Sequence, residues 1–135
     1  MPLVQMHVLR AITIFRALPA PTLETLARSV EHAPIEAGTT LMRQGEVGER
    51  YFAIASGDLS ILIDGAEIAV RSRGEGVGEI ALLRDMPRTA TVIARTDAEL
   101  YALDREPFLL AVTGHAPALR SADSLIDERL GHLPD

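Results

Sequence analysis

The stretch "DLSILIDGAEIAV" (residues 58–70) decides the fold. Leu59, Ile61 and Ile63 recur at every second position, the signature of a strand with one apolar face. "DG" at 64–65 is a two-residue turn of the type whose backbone twist suits antiparallel strands. The alternation resumes in "AEIAV" with Ile68 and Val70, so the stretch predicts a β-hairpin.

The surrounding chain repeats this texture. From about residue 31 to 103 it consists of short segments punctuated by glycines at 38, 45, 48, 57, 65, 74, 76 and 78. "RTATVIA" and "AELYALD" read as two further strands around a Thr96–Asp97 turn, with Arg88 beginning the first of them. Short strands at this spacing suggest a small barrel or jelly roll, which protects its sheet edges. Gly65, Gly45 and Gly48 read as turn residues.

On either side the period changes to that of helices. "LVQMHVLRAITIF" (3–15) places Leu3, Met6, Leu9 and Ile12 at helical spacing. Thr22 is a candidate N-cap for "LETLARSV", with Leu23, Leu26, Ala27 and Val30 as its stripe. Beyond the strands, Asp104 can cap "REPFLLAVT", where Pro107 is tolerated in the first turn and Gly114 ends the helix. Ser121 can cap "ADSLIDERLGHL", whose Ala122, Leu125, Ile126 and Arg129 share a face, before Gly131 and Pro134 break it. The expected fold is α+β: an antiparallel β-roll, jelly-roll-like, flanked by helices. One domain spans 1–135, with a helical lead-in at 1–30, the β-roll at 31–103 and C-terminal helices at 104–131.

Composition narrows the function classes. The chain has 135 residues, enough for one domain with a proper core, and 47% of them are hydrophobic. It has no cysteine, which excludes disulfides, thiolate metal sites and a cysteine nucleophile. The net charge of −6 argues against nucleic acid as a partner of this chain alone. No apolar run approaches a membrane span, and "MPLVQMHVLR" lacks the pattern of a signal peptide. The reading is a cytoplasmic protein, or a cytoplasmic domain of a larger protein that itself could be membrane-bound.

Within this acidic chain, "GEIALLRDMPRTATV" (78–92) collects the groups an anion needs. Gly74, Gly76 and Gly78 let the backbone turn, and "EIALL" can form one helical turn whose free N–H groups face outward. Pro87 ends that turn, and Arg88 adds a guanidinium fork. Glu79 would repel a bare dianion, so its presence suits a ligand that also carries a hydroxyl donor. A phosphate with a neighbouring hydroxyl points to a nucleotide. Other candidates carry less. His7, His32, His115 and His132 are scattered without ligand spacing, and "DSLIDER" (123–129) suits a solvated helix face. Ser56, Ser60 and Ser72 lack a nucleophile-elbow context.

Residues 78–92 resemble the phosphate-binding cassette of the cyclic nucleotide-binding domain. That family includes the bacterial catabolite activator protein, protein kinase A regulatory subunits and cyclic nucleotide-gated channels. "FRALPAPTLETLA" (15–27) is similar to its helical lead-in, and "IEAGTTLMRQGEVGERYFAIASGDLSIL" (35–62) to its barrel signature, so the resemblance covers about residues 9–112. It implies that Glu79, after Gly78, accepts the ribose 2′-hydroxyl. It implies too that Arg88 pairs with the cyclic phosphate, and that amides near Ile80 and Ala81 contact the phosphate or sugar. Ala90 would allow close backbone approach, and Thr89 would contact the phosphate or a guanine. The family often has an aromatic just before the Gly-Glu pair, where this chain has Val77. A C-terminal residue typically caps the base, for which Leu125 and Arg129 are candidates.

The implied function is a regulatory sensor, not an enzyme and without a cofactor or metal. Its ligand would be cAMP, with cGMP as the alternative, and its C-terminal helices would signal to an attached or partner effector. The chain would be a freestanding module or part of a longer polypeptide. Two rivals are a degenerate fold that serves as an interaction scaffold without nucleotide, and a phosphodiesterase-like enzyme, for which the sequence offers no metal ligands or general base.

Overall fold

A computed structural model describes residues 3–131. Helix α1 (Leu3–Arg10), a 3-10 turn (Thr13–Phe15) and α2 (Ala20–Ser29) precede the strands, and α4 (Arg105–Thr113) and α5 (Ala116–Leu130) follow them. His132 and Pro134 lie outside the described residues.

Among the described residues, eight strands form two antiparallel sheets. One has the order β1 (Glu31–His32), β8 (Glu99–Asp104), β3 (Arg50–Ser56), β6 (Gly76–Val77). The other has β2 (Thr40–Met42), β7 (Thr91–Ala94), β4 (Leu59–Ile63), β5 (Ala66–Arg71). The expected hairpin is β4–β5, with Ile63 paired to Ala66 and positive φ at both Asp64 (52°) and Gly65 (83°). Leu59, Ile61 and Ile63 are all buried, while Ser60 and Leu62 between them are only half-buried. In β5 a register shift opposite Ile61 and Leu62 breaks the expected alternation. The 95–97 turn carries the chain from one sheet to the other, since β7 and β8 do not pair.

The period-two rule makes β3 and β8 the centre of two cores. Phe52, Ile54, Leu100 and Ala102 point into the roll, against Leu59, Val77, Val92 and Ala94. Tyr51, Ala53 and Leu103 point the opposite way, into a second core with Leu9, Phe15, Leu23, Phe108 and Ala122. A strand buried on both faces reads as a continuous apolar run, which is the character of "YFAIA" (51–55). Tyr51 stacks on Phe108 at 4.8 Å between ring centroids, and Phe15 meets Tyr51 edge-on at 5.5 Å. This aromatic trio ties both helical ends of the domain to the sheet.

Several expected boundaries shift. The lead-in "LVQMHVLRAITIF" is not one helix: α1 stops at Arg10 and Ile12 is extended. The β-branched run Ile12-Thr13-Ile14 disfavours helix. The Arg10 guanidinium secures the bend by donating to the carbonyls of Arg16 and Leu18, at 2.9 and 2.7 Å. Helix α2 starts at Ala20, so Thr22 lies inside it, and Pro21 occupies its first turn, where a missing N–H costs nothing. Helix α5 likewise starts at Ala116, with Pro117 in its first turn, and Ser121 is interior rather than a cap. Asp104 does precede α4, but its carboxylate accepts from Arg50 Nε at 3.1 Å instead of capping.

Candidate functional site

The cassette forms the expected single helical turn, α3 (Glu79–Leu83), between β6 and β7. Its N-cap, Gly78, has φ of 105°, a conformation that penalises any side chain. A Cβ there would also lie 2.7 Å from Arg88 Nη1. Glu79, Ile80, Ala81 and Leu82 are all buried, so this short helix is held by packing and not by propensity.

Arg88 precedes β7 rather than beginning it, and its backbone is clamped to the 43–46 turn. Its N–H donates to Glu46 O at 2.7 Å, and its carbonyl accepts from Gly45 N at 2.8 Å. The guanidinium is fixed by two carbonyls: Nη1 donates to Gly78 O at 3.1 Å and Nη2 to Arg50 O at 2.7 Å. These two bonds leave three of the five guanidinium N–H donors for other partners. Burial lowers the Arg88 pKa, and Glu79, Glu46 and Glu49 act against that shift.

Gly48 is not simply a turn residue. A Cβ on it would lie 2.7 Å from both the Ala81 Cβ and Arg88 Cζ, so glycine is what lets the 45–48 loop pack directly on the guanidinium.

Glu79 is 1% exposed and Arg88 7%, and they are the only buried charged residues among those described. Both line one pocket, together with Gly78, Ile80, Ala81, Thr89 and Ala90. The seven cassette residues singled out in the sequence are therefore brought together. The opposite wall comes from the second sheet through Met42, Ile61, Ile63, Ile68 and Val92. The pocket thus has a polar end beneath α3 and an apolar end on the sheet, the division that a ligand with an anionic head and a flat apolar body requires.

The two candidates on α5 separate. Leu125 lies outside the pocket and packs against the helical core. Arg129 lines it. Its Nη1 donates to Gly76 O at 3.0 Å and forms an ion pair with Glu79 Oε1. Two further ion pairs bind the cassette to the C-terminal helices: Arg84 to Asp123 at 3.0 Å and Asp85 to Arg105 at 3.2 Å. The pocket's cavity volume is about 60 Å³, well under the roughly 300 Å³ of a typical ligand pocket, and Arg129 is among the residues that narrow it.

Sequence reasoning missed three contributors. The Arg50 carbonyl and Gly48 are brought to Arg88 by tertiary packing and leave no local signal. Arg71, which ends β5 and lines the pocket beside its ion pair with Glu75, was a basic residue entering the glycine run. Among the described residues no three His, Cys, Asp or Glu side chains gather as a metal site. No helix among them is long and apolar enough to cross a membrane.

A family model described as the cyclic nucleotide-binding domain matches residues 33–113. The chain belongs to that family. As a cyclic nucleotide-binding domain it is 30% identical over 95 residues to a cAMP-dependent protein kinase regulatory subunit of Candida albicans, covering 70% of this chain and 21% of that protein. It is 32% identical over 111 residues to a cGMP-dependent protein kinase of Eimeria tenella, covering 82% of this chain and 11% of that protein. Among solved structures it is similar to the regulatory domain of Toxoplasma gondii PKA in co-crystals with cAMP. That match has a TM-score of 0.81 and 35% identity, over 93% of this chain and 50% of the other. The chain thus spans half or less of the length of these relatives. The domain's β-roll and helices are those expected of its α+β class.

Proposed function

We propose that this domain is a non-catalytic sensor that binds cAMP in the pocket beneath α3 and signals through α5. One observation carries the reading: Glu79 and Arg88, a hydroxyl acceptor and a phosphate-pairing fork, are both buried in the lining of one pocket whose far wall is apolar. A buried carboxylate beside a buried guanidinium is costly unless both find partners. A cyclic phosphodiester supplies an anion for Arg88, and its ribose supplies a hydroxyl for Glu79. The α3 amides of Ile80 and Ala81 lie at the helix N-terminus, where partial positive charge favours the same anion. The purine would rest on Ile61, Ile63 and Ile68.

The narrowness of the pocket supplies the switch. A nucleotide enters only if α5 withdraws Arg129, and closing again over the ligand would reset the three ion pairs that join α5 and α4 to the cassette. Ligand then shifts the population of α5 positions, and an effector reads α5. Such an effector is an attached domain or a separate protein.

Isothermal titration with cAMP and cGMP tests the reading, with chromatography of the mixture for AMP. Saturable 1:1 binding with no AMP formed supports it. Absence of binding to either nucleotide favours the scaffold reading, and AMP production would make the domain an enzyme.

A further inference from the structure

Part of the pocket's apolar wall is carried by an overhang. β4 pairs with β7 from Leu59 to Leu62, where Leu62 meets Thr91, and β5 is the edge strand of its sheet. The hairpin tip, residues 63–66, therefore projects past β7, with the pocket-lining Ile63 and Ile68 on either side of the turn. One side chain braces it: Gln44, from the loop after β2. Its Oε1 accepts from Asp64 N at 2.9 Å and its Nε2 donates to Asp64 Oδ1 at 3.1 Å. The turn needs a positive φ at Asp64 (52°), and Gln44 satisfies the N–H there. Among the described residues no other side chain hydrogen-bonds to 63–66. The same loop holds the polar end of the pocket. Gln44 N donates to Thr91 Oγ1 at 3.0 Å, at the first residue of β7. The next two residues clamp the Arg88 backbone through Gly45 N and Glu46 O. Three consecutive residues thus touch the hairpin tip, the start of β7 and Arg88.

We infer that Gln44 is a positioning residue that sets the separation between the hairpin wall and Arg88, and with it the size of base the pocket prefers. This rests on the nucleotide reading above. Gln44 does not line the pocket and is exposed, so it acts through the tip and not by touching ligand. Water competes for exposed hydrogen bonds, so the reciprocal pair with Asp64 governs where the tip sits more than it governs global stability. A purine, two rings long, reaches the overhang at Ile63 and Ile68. A pyrimidine, one ring long, depends on it less.

The test measures cAMP and cCMP by calorimetry on the unmodified chain, Gln44→Glu, Asp64→Asn and the double variant, with thermal unfolding of each as the control for folding. The unmodified chain should prefer cAMP by about tenfold or more, because the second ring adds buried area. Gln44→Glu removes the donor and sets a carboxylate against Asp64. It should cut that preference about three- to tenfold, the range of one neutral hydrogen bond, by weakening cAMP while cCMP stays within about twofold. Asp64→Asn keeps an acceptor for Gln44 Nε2 and tolerates the positive φ, so the preference should survive. In the double variant the donor moves to position 64 and the acceptor to 44, which remakes both bonds and should restore the preference. Equal weakening of both nucleotides by Gln44→Glu would make the residue merely structural and overturn the inference. So would an unchanged ratio, a double variant no better than Gln44→Glu, or an unmodified chain that binds both nucleotides alike. If the unmodified chain binds neither, the nucleotide reading fails first, and this inference with it.

Discussion

Substituting Gly48 by alanine tests how the Arg88 guanidinium is held. The added Cβ would lie 2.7 Å from Ala81 Cβ, 2.7 Å from Arg88 Cζ and 2.8 Å from Arg88 Nε. Carbon atoms pack at about 3.5–4.0 Å, so something must move by roughly 0.8 Å or more. Ala81 sits in α3 with its helix buried, whereas Arg88 ends in a side chain, so the guanidinium yields first. Its two anchors, at 2.7 and 3.1 Å from Arg50 O and Gly78 O, then stretch or break, and its remaining donors turn away from the phosphate. A charge-assisted bond contributes about 1.5–3 kcal/mol, which corresponds to roughly a ten- to hundredfold rise in Kd for cAMP. Overpacking should lower stability by about 1–3 kcal/mol, a loss the thermal midpoint reports. Gly45→Ala is the control. Nothing lies within 4 Å of its Cβ, but its φ of 89° strains any side chain, so it should cost stability and leave affinity nearly unchanged. Calorimetry with cAMP and thermal unfolding on both variants decide the matter. A folded Gly48→Ala chain with unaltered affinity would refute this view of how Arg88 is positioned, as would equal losses from both variants.

Other outcomes follow from the same geometry. Arg88→Ala should weaken cAMP about tenfold to a hundredfold or more, and Arg88→Lys should recover part of it, since lysine lacks the fork; calorimetry of the pair checks this. Thr89→Ala should change the ratio of cGMP to cAMP affinity by at most about tenfold, the range of one neutral hydrogen bond, as competition binding would show. Truncation after Thr113 should unfold or severely destabilise the domain, because Ala118, Ala122 and Ile126 are fully buried. Truncation after Asp127 removes Arg129 but keeps those three, and should leave a cooperative thermal transition close to that of the full chain.

What was legible in the sequence was what local chemistry determines. The 58–70 hairpin follows from alternation and an Asp-Gly turn, and the structure pairs Ile63 with Ala66 across that turn before the register shifts at Ile61 and Leu62. That Glu79 and Arg88 line one pocket was legible because Gly78, one helical turn and Pro87 hold them at a fixed spacing within a single stretch. Helix starts were misjudged where proline intervened. Thr22 and Ser121 looked like caps, yet Pro21 and Pro117 fit the first turns of helices that begin before them. The extended Ile12 was hidden because the apolar spacing runs on through it, while the bend is what lets Leu9, Ile12, Ile14 and Phe15 all be buried. Leu125 and Arg129 share a helix face on paper, but α5 lies so that only Arg129 reaches the pocket. Gly48 and the Arg50 carbonyl act across the fold, and no window of sequence shows them beside Arg88.

Nuclear magnetic resonance tests the central claim most directly: the backbone amides of the ¹⁵N-labelled chain are followed as cAMP is added. The largest shifts should fall on Gly78, Glu79, Ile80, Ala81, Thr89 and Ala90, saturating together with those of the last turn of α5. Shifts that cluster instead between α2 and α4, around Leu26 and Leu110, or no shifts at millimolar cAMP, would contradict binding beneath α3.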